Sequence, residues 1–486
     1  MNKPIRTISM FCLVLFVALL INATYLMYFR SDELAADARN RRVVTAAFAR
    51  ERGAILVDKQ PVARSLPSDD QYEFQRTYPQ PLRYAPITGY FSYYSQTGIE
   101  RSQNDVLSGD DPRLFVTRLV DMLSNAEPKG GNVELTIDPA AQDAAFDGLQ
   151  ALPGDARGAV VALEPSTGKV LAMVSNPTFD PNVLASHDLN EVEDEAKRLE
   201  DDPATPLINR SIGTTLPPGS TFKLVTAAAA IESGDYDKDS MVPGVAQFQL
   251  PQSTTKVGNW QGGSCGANKI TLTQALAVSC NVSFLTIANE LGNETMAKQA
   301  EAFGFNSTAL TDLPGQARSL YPTDMDEPQT ALSGIGQSSV TATPLQMAMV
   351  AAGIANGGEV MQPYLVDEVR APNASLLDKT DEKPYSRAIS RTTADELTDM
   401  MVATVNDGTA GVAAIPGIEV AGKTGTAQST DSRPPYAWFV SFAPADDPKV
   451  AVAVMVEASD TARDEIAGGT LGGPIAKAVM QAVLDQ

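Results

Sequence analysis

Hydrophobic positions first crowd together in ISMFCLVLFVALLINATYLMYF, Ile8 to Phe29, an uncharged run of about 22 residues. That length predicts one helix able to cross a bilayer. Lys3 and Arg6 precede it and favour a cytoplasmic tail over residues 1–7. The apolar core is long, and the bulky Tyr25, Leu26, Met27 and Tyr28 continue it. These features predict an uncleaved anchor over 8–29, with the rest of the chain outside the cytoplasm. The pattern then turns polar and arginine-rich from Arg30 to Arg52, which suits a helix leaving the membrane. RGAILVD (Arg52 to Asp58) predicts a short strand, and YAPITGYFSYY (Tyr84 to Tyr94), broken by Pro86 and Gly89, a strand and turn. EPKGGN (Glu127 to Asn132) reads as a hinge. Residues 30–150 are therefore expected to form a small mixed α+β domain without a reactive cluster.

From there the periodicity changes. GAVVALEPSTGKVLAMV (Gly158 to Val174) alternates as two apolar strands around a polar turn, a hairpin. Helical spacing dominates from Ser220 to about Ala355. VAGKTGTAQ, YAWFVSFAP and KVAVAVMVEA read as three successive strands, followed by a helix from about Pro474 to Leu484. The expectation for 151–486 is an α/β domain. Strands from both its ends form a mostly antiparallel sheet flanked by the intervening helices.

Composition narrows the function. A formal net charge of −22 argues against a nucleic-acid partner, which would need a basic face. Neither a GxGxxG nor a GxxxxGK[ST] string occurs. The single histidine, His187, lies in ASHDLNEVEDE and reads as a surface residue, so a Ser-His-Asp triad is disfavoured. With Cys12 inside the apolar run, too few soft ligands remain for a zinc site. Cys265 and Cys280 are either reduced thiols or, in an oxidising compartment, a disulfide. The disulfide would close a loop of about 15 residues, worth roughly 3 kcal/mol.

Candidate chemistry comes from three short strings. Ser-x-x-Lys occurs three times, at Ser166–Lys169, Ser253–Lys256 and Ser220–Lys223. The first falls in the hairpin turn and the second in a polar loop. Only Ser220-Thr-Phe-Lys223 opens a helix, after Pro217, Pro218 and Gly219. Residues i and i+3 share a helix face, so Lys223 can reach back to the Ser220 hydroxyl. Free N–H groups at the helix start favour a developing oxyanion, and apolar neighbours can depress the lysine pKa. Serine is also a common helix cap, and lysine often extends to water, so the string alone leaves both readings open. Ser279-Cys280-Asn281 follows about 60 residues on. There a serine can relay a proton and an asparagine can bind a peptide bond through both its donor and acceptor. Ser102-Gln-Asn104 is a second copy, in a segment read as a loop. Lys423-Thr424-Gly425-Thr426 lies on a strand suited to β-addition of an extended peptide. Lys423 and Thr424 are expected to bind a terminal carboxylate, and Gly425 to let the substrate backbone come close.

The three strings in this order resemble the penicillin-binding proteins and serine β-lactamases. Over nearly its full length the chain resembles a class B penicillin-binding protein, most closely the actinobacterial penicillin-binding protein A type. NRSIGTTLPPGSTFK, GIGQSSVTATPLQMA, IANGG and AWFVSFAP look like that family's blocks. RGAILVD, TGIERSQNDVLSG and LTIDPAAQ look like its pedestal or dimerisation domain, although VDKQPVARS departs from the usual Asp-Arg-x-Gly-x-x-Leu-Ala. The resemblance implies a peptidoglycan D,D-transpeptidase. Ser220 would be the nucleophile and Lys223 the base. Ser279 would take part in proton transfer, with Asn281, Lys423 and Thr424 binding the stem peptide. The N–H groups of Ser220 and Thr426 would form the oxyanion hole. It implies β-lactam inhibition, no metal or organic cofactor, and partners such as a SEDS-type polymerase and division or elongation proteins. Its rivals are a D,D-carboxypeptidase, a serine β-lactamase, and, from another class, a non-catalytic envelope scaffold or β-lactam sensor. No Glu-x-x-Leu-Asn string follows Ser279 to hold a deacylating water. The roughly 130 residues between anchor and hairpin are too few for the glycosyltransferase of a class A enzyme.

Overall fold

A computed structural model describes residues 2–30, 45, 47–115, 123, 129–260, 262–427, 433–463 and 465–486. Most of the arginine-rich segment after the anchor, and Glu127 and Pro128 of EPKGGN, lie outside the described residues. The N-terminal apolar run is a helix, Asn2–Phe29. It is long and apolar enough to cross a membrane, and its most apolar stretch packs on no other part of the protein.

The pedestal is built on a six-stranded sheet. Its order is Leu376–Lys379, Val366–Arg370, Asn132–Leu135, Ile55–Val57, Gln60–Pro67, Phe74–Thr77. Ile55–Val57 runs parallel to Asn132–Leu135, and the other pairs are antiparallel. Two of the six strands come from the middle of the catalytic half, with Val369 opposite Val133. In the other direction, helix Pro139–Gln150 leaves the pedestal and packs on the last helix, Gly473–Leu484. The chain is therefore not divided cleanly at residue 150. Two crossings tie pedestal and catalytic domain together.

Beside this sheet Glu100 is fully buried between Arg52 and Arg76, 2.6 Å from each, with the Tyr78 hydroxyl at 3.2 Å. Burial alone would raise its pKa, but Arg76 and Arg52 hold it below the usual carboxylate value. The stretch YAPITGYFSYY corrects the expectation of a strand. Pro81–Thr88 is a helix that buries Tyr84, Ala85, Ile87 and Thr88. Pro81 sits in the first turn, where a missing N–H costs nothing, and Gly89 at φ +64° ends the helix. His187 is also not a surface residue. Its ring packs on Tyr72 and Phe48, at centroid distances of 4.8 and 5.8 Å, and Nδ1 meets Asp70.

The catalytic domain rests on a five-stranded antiparallel sheet. Its order is Ala421–Ala427, Tyr436–Ala443, Val450–Ala458, Arg157–Leu163, Val170–Asn176. The sequence pattern anticipates both the hairpin and the three late strands. Alternation divides their side chains between two cores. Ala159, Val161, Val440 and Met455 face helices Lys223–Glu232, Asn281–Ala302 and Pro344–Ala355. Val160, Ala162, Phe439 and Val454 face helices Pro139–Gln150 and Gly473–Leu484. Ala421–Ala427 is an edge strand, with one of its sides unpaired. The region from Ser220 to Ala355 is not helix alone. Four three-residue strands, Met241–Pro243, Gln247–Gln249, Lys256–Gly258 and Lys269–Thr271, form two small ribbons. Three residues are too few for a period of two to stand out.

Candidate active site

Ser220 lies in a single 3₁₀ turn, Gly219–Phe222, that runs directly into helix Lys223–Glu232. Gly219 has φ +55°, and its N–H donates to Gly336 O at 3.2 Å. A Cβ on Gly336 would lie 2.2 Å from Gly219 O, so the GIGQSS segment packs directly beneath the nucleophile turn. Phe222 is buried and stacks on Tyr321, which fixes the turn from inside.

Ser279 is the non-glycine residue that shapes the second wall. It has φ +58°, in the left-handed region, between helices Leu272–Ala277 and Asn281–Ala302. Its N–H donates to Leu276 O and that of Cys280 to Ala275 O. This geometry turns both the carbonyl and the hydroxyl of Ser279 toward Lys223. Lys223 Nζ donates to Ser279 O at 2.8 Å, Ser279 Oγ at 3.2 Å and Asn281 Oδ1 at 2.8 Å. Asn281 Nδ2 donates to Gly258 O at 3.1 Å. Cys265 and Cys280 form a disulfide across a separation of 15 residues, so a covalent bond anchors the residue between Ser279 and Asn281.

The third wall is the edge strand. Lys423 Nζ donates to Ser279 Oγ at 3.0 Å and Thr424 O at 2.9 Å. Thr424 and Thr409 share a hydroxyl–hydroxyl bond of 2.7 Å. Gly425 has a packing role that the sequence did not suggest. An added Cβ would meet Thr221 Cγ2 at 2.9 Å and Pro218 O at 3.0 Å. Its missing side chain lets the strand close on the nucleophile turn.

Both lysines are buried, yet neither meets a carboxylate among the described residues. Burial, and secondarily the positive field of Lys423, pushes the Lys223 pKa well below its usual value. Burial lowers that of Lys423 to about 7. The three bonds of Lys223 suit the ammonium. A neutral Lys223 amine keeps two donations, to Ser279 O and Asn281 Oδ1, and has a lone pair to accept a proton, while Ser279 Oγ lies within hydrogen-bond reach of both amines. Lys223 does not bond to Ser220 Oγ in this state, and unliganded sites commonly tighten only around substrate. Ser220, Ser279, Asn281, Thr424 and Thr426 all line one cleft of about 770 Å³. Sequence reasoning missed Thr409, Lys256 and Trp260, which line the same cleft. Thr409 and Trp260 belong to no recognisable string, and Lys256 falls in a Ser-x-x-Lys string with no helix start. His187 does not line the cleft, and no group of metal ligands occurs among the described residues.

Residues 158–481 match the penicillin binding protein transpeptidase domain, and residues 52–133 the penicillin binding protein A dimerisation domain. The chain belongs to the class B penicillin-binding proteins, of the penicillin-binding protein A type. Within that family it is 44% identical to the peptidoglycan D,D-transpeptidase PbpA of Mycolicibacterium smegmatis, across 100% of this chain and 99% of the relative. Identity to the PbpA of Mycobacterium tuberculosis is 43%, again across 100% and 99%. Among solved structures, penicillin-binding protein A from M. tuberculosis superposes with a TM-score of 0.86 as its ceftriaxone acyl-enzyme complex. That match has 40% identity and covers 90% of this chain and 100% of the other. The penicillin G acyl-enzyme of the same protein gives 0.84 at 41% identity, with the same coverage.

Proposed function

We propose that this penicillin-binding protein, a peptidoglycan D,D-transpeptidase, works through an acyl-enzyme on Ser220. In this reading Ser220 Oγ attacks the carbonyl of the D-Ala–D-Ala bond of a stem peptide. Neutral Lys223 takes the hydroxyl proton. The carbonyl oxygen becomes an oxyanion held by the N–H groups of Ser220 and Thr426. Ser279 Oγ, between the two amines, passes a proton to the departing D-Ala nitrogen as the C–N bond breaks. The side-chain amine of a second stem then attacks the ester, Ser220 leaves as the alcohol, and a cross-link results. Lys423 and Thr424 bind the terminal carboxylate, with Thr409 orienting the Thr424 hydroxyl. An arriving carboxylate favours the charged form of Lys423, so the amine gains its proton as substrate binds. Asn281 exchanges its bond to Lys223 for the substrate amide. A β-lactam acylates Ser220 in place of the stem. A D,D-carboxypeptidase would differ only in the acceptor, water instead of amine.

The observation that carries this reading is the shared position of Ser279 Oγ, 3.2 Å from Lys223 Nζ and 3.0 Å from Lys423 Nζ. Intact mass after incubation with benzylpenicillin tests it. The full chain in detergent is expected to gain one penicillin, and Ser220→Ala none. A folded wild type that neither forms the adduct nor hydrolyses the drug would leave Ser220 as a helix cap and bring the scaffold reading forward. We further propose that residues 8–29 anchor the chain with its N-terminus cytoplasmic and its catalytic domain outside. A SEDS-type polymerase and division or elongation proteins are the partners that this arrangement suits. The apolar helix supports the anchor, and family membership supports the partners.

A further inference from the structure

One wall of the cleft has no place in the mechanism above. Strands Gln247–Gln249 and Lys256–Gly258 form a two-stranded lip, with Gln249 opposite Lys256 and Gln247 opposite Gly258. The lip is fastened to the catalytic turn from several sides. Asn281 Nδ2 holds Gly258 O, and Asn259 Oδ1 accepts from Val282 N at 3.1 Å. Asn259 Nδ2 also holds Val245 O and Gly263 O, and the Cys265–Cys280 disulfide closes the loop that follows. These ties hold the backbone of the lip, which carries Lys256 and the exposed Trp260 on the cleft wall.

Lys256 is the one charged side chain among the described residues that line the cleft. It is exposed and has no carboxylate partner among the described residues. In a chain with a net charge of −22, an unpaired lysine facing the substrate is a feature to account for. In the transpeptidase reading the terminal carboxylate of the donor already has Lys423 and Thr424 on the edge strand. A donor peptide lying in extended form along the edge strand would therefore present its upstream residues to other parts of the cleft, the lip among them.

We propose that Lys256, on the cleft wall, forms a subsite for a carboxylate carried by the donor stem peptide upstream of its D-Ala–D-Ala end. This rests on the transpeptidase reading of the same cleft. Exposure of Lys256 keeps the pairing salt-sensitive.

The test uses the full chain in detergent and two synthetic peptides ending in D-Ala–D-Ala, with glutamate or glutamine at one upstream position. D-Ala release gives kcat and KM for each. Wild type is expected to favour the glutamate peptide by about fivefold in kcat/KM, mainly through KM, and to lose the preference in high salt. Lys256→Met, which keeps the aliphatic stem, is expected to erase the preference, and Lys256→Arg to retain it. Benzylpenicillin acylation of each variant, measured beside the peptides, reports that its cleft is folded. Equal use of the two peptides by wild type, or equal losses on both peptides in Lys256→Met, overturns the subsite. Failure of wild type to acylate with benzylpenicillin or to release D-Ala from either peptide overturns the transpeptidase reading instead.

Discussion

Asn281→Asp replaces Nδ2, the donor to Gly258 O, and turns Oδ1, which accepts from Lys223, into half of a carboxylate. In the wild type the neutral Oδ1 accepts from Lys223 Nζ at 2.8 Å. A carboxylate in the same place puts a full negative charge beside a buried amine. At an effective dielectric of 20, two unit charges 2.8 Å apart attract by about 6 kcal/mol. Desolvating the new carboxylate offsets a few kcal/mol of this, because Asn281 is only partly buried. About 3 kcal/mol is left to favour the ammonium form, so the Lys223 pKa rises. A base whose pKa rises is deprotonated only at higher pH, so the acid limb of the acylation profile must move upward. At pH 7 the rate is expected to fall by roughly 10²-fold, within the usual range for losing a general base. The assay is the second-order rate of benzylpenicillin acylation, followed by intact mass from pH 6 to 10. Asn281→Ala is the control. It removes the acceptor without adding charge, and is expected to cost about tenfold with the acid limb unmoved. An Asn281→Asp profile that matches that of Asn281→Ala at every pH would falsify the assignment of neutral Lys223 as the base.

Two further substitutions test the supports of the site. Glu100→Gln leaves Arg52 and Arg76 buried without their anion and is expected to cost about 3 to 5 kcal/mol in denaturant unfolding of the full chain. Penicillin acylation below the transition should stay near wild type, and a loss under about 1 kcal/mol would mean that the pedestal holds the arginines by other means. Cys265→Ser opens the loop of 15 residues and is expected to cost about 3 kcal/mol and to slow acylation, as should reductant on the wild type. A reduced protein that acylates at the wild-type rate would assign the Ser279 turn to helix packing alone.

The long elements of the catalytic domain are legible in the chain because each buries a face with its own period. Val160 and Val161 point into different cores, and a simple alternation records that. The three motifs are legible as strings, and their residues meet in one cleft. The wiring between them is another matter. From spacing alone Lys223 is expected at Ser220, since i and i+3 share a face. In the folded chain it donates instead to Ser279 and Asn281, about 60 residues away, because Ser279 adopts a left-handed backbone that no local pattern announces. Gly425 was equally opaque: its neighbour is Pro218, about 200 residues earlier, so only the tertiary fold shows what its missing side chain accommodates. The pedestal is harder still. Its sheet borrows Val366–Arg370 and Leu376–Lys379 from the other half, and a helix begun by Pro81 stands where the proline and glycine suggested a turn.

Two buried lysines sharing one serine hydroxyl are an unfavourable arrangement by folding criteria alone. Each ammonium would lose hydration without gaining an anion, and the two would repel. The arrangement becomes tolerable when the amines are neutral or nearly so, the state that a base requires. The same burial that weakens the fold therefore prepares the chemistry. It follows that the surrounding structure must hold the amines against the pull to swing out into water. Rigid supports lie next to each of them. A disulfide sits beside Ser279, Gly336 and Gly425 allow close packing around the nucleophile turn, and Lys423 is held within the edge strand, paired with Val440 of its neighbour. Softening any one of these should let a lysine reach solvent, recover its proton and stop acting as a base. Losses of activity in such variants should then be partly regained at high pH, where even a solvated lysine is neutral, whereas simple misplacement of Ser220 would give losses that no pH restores.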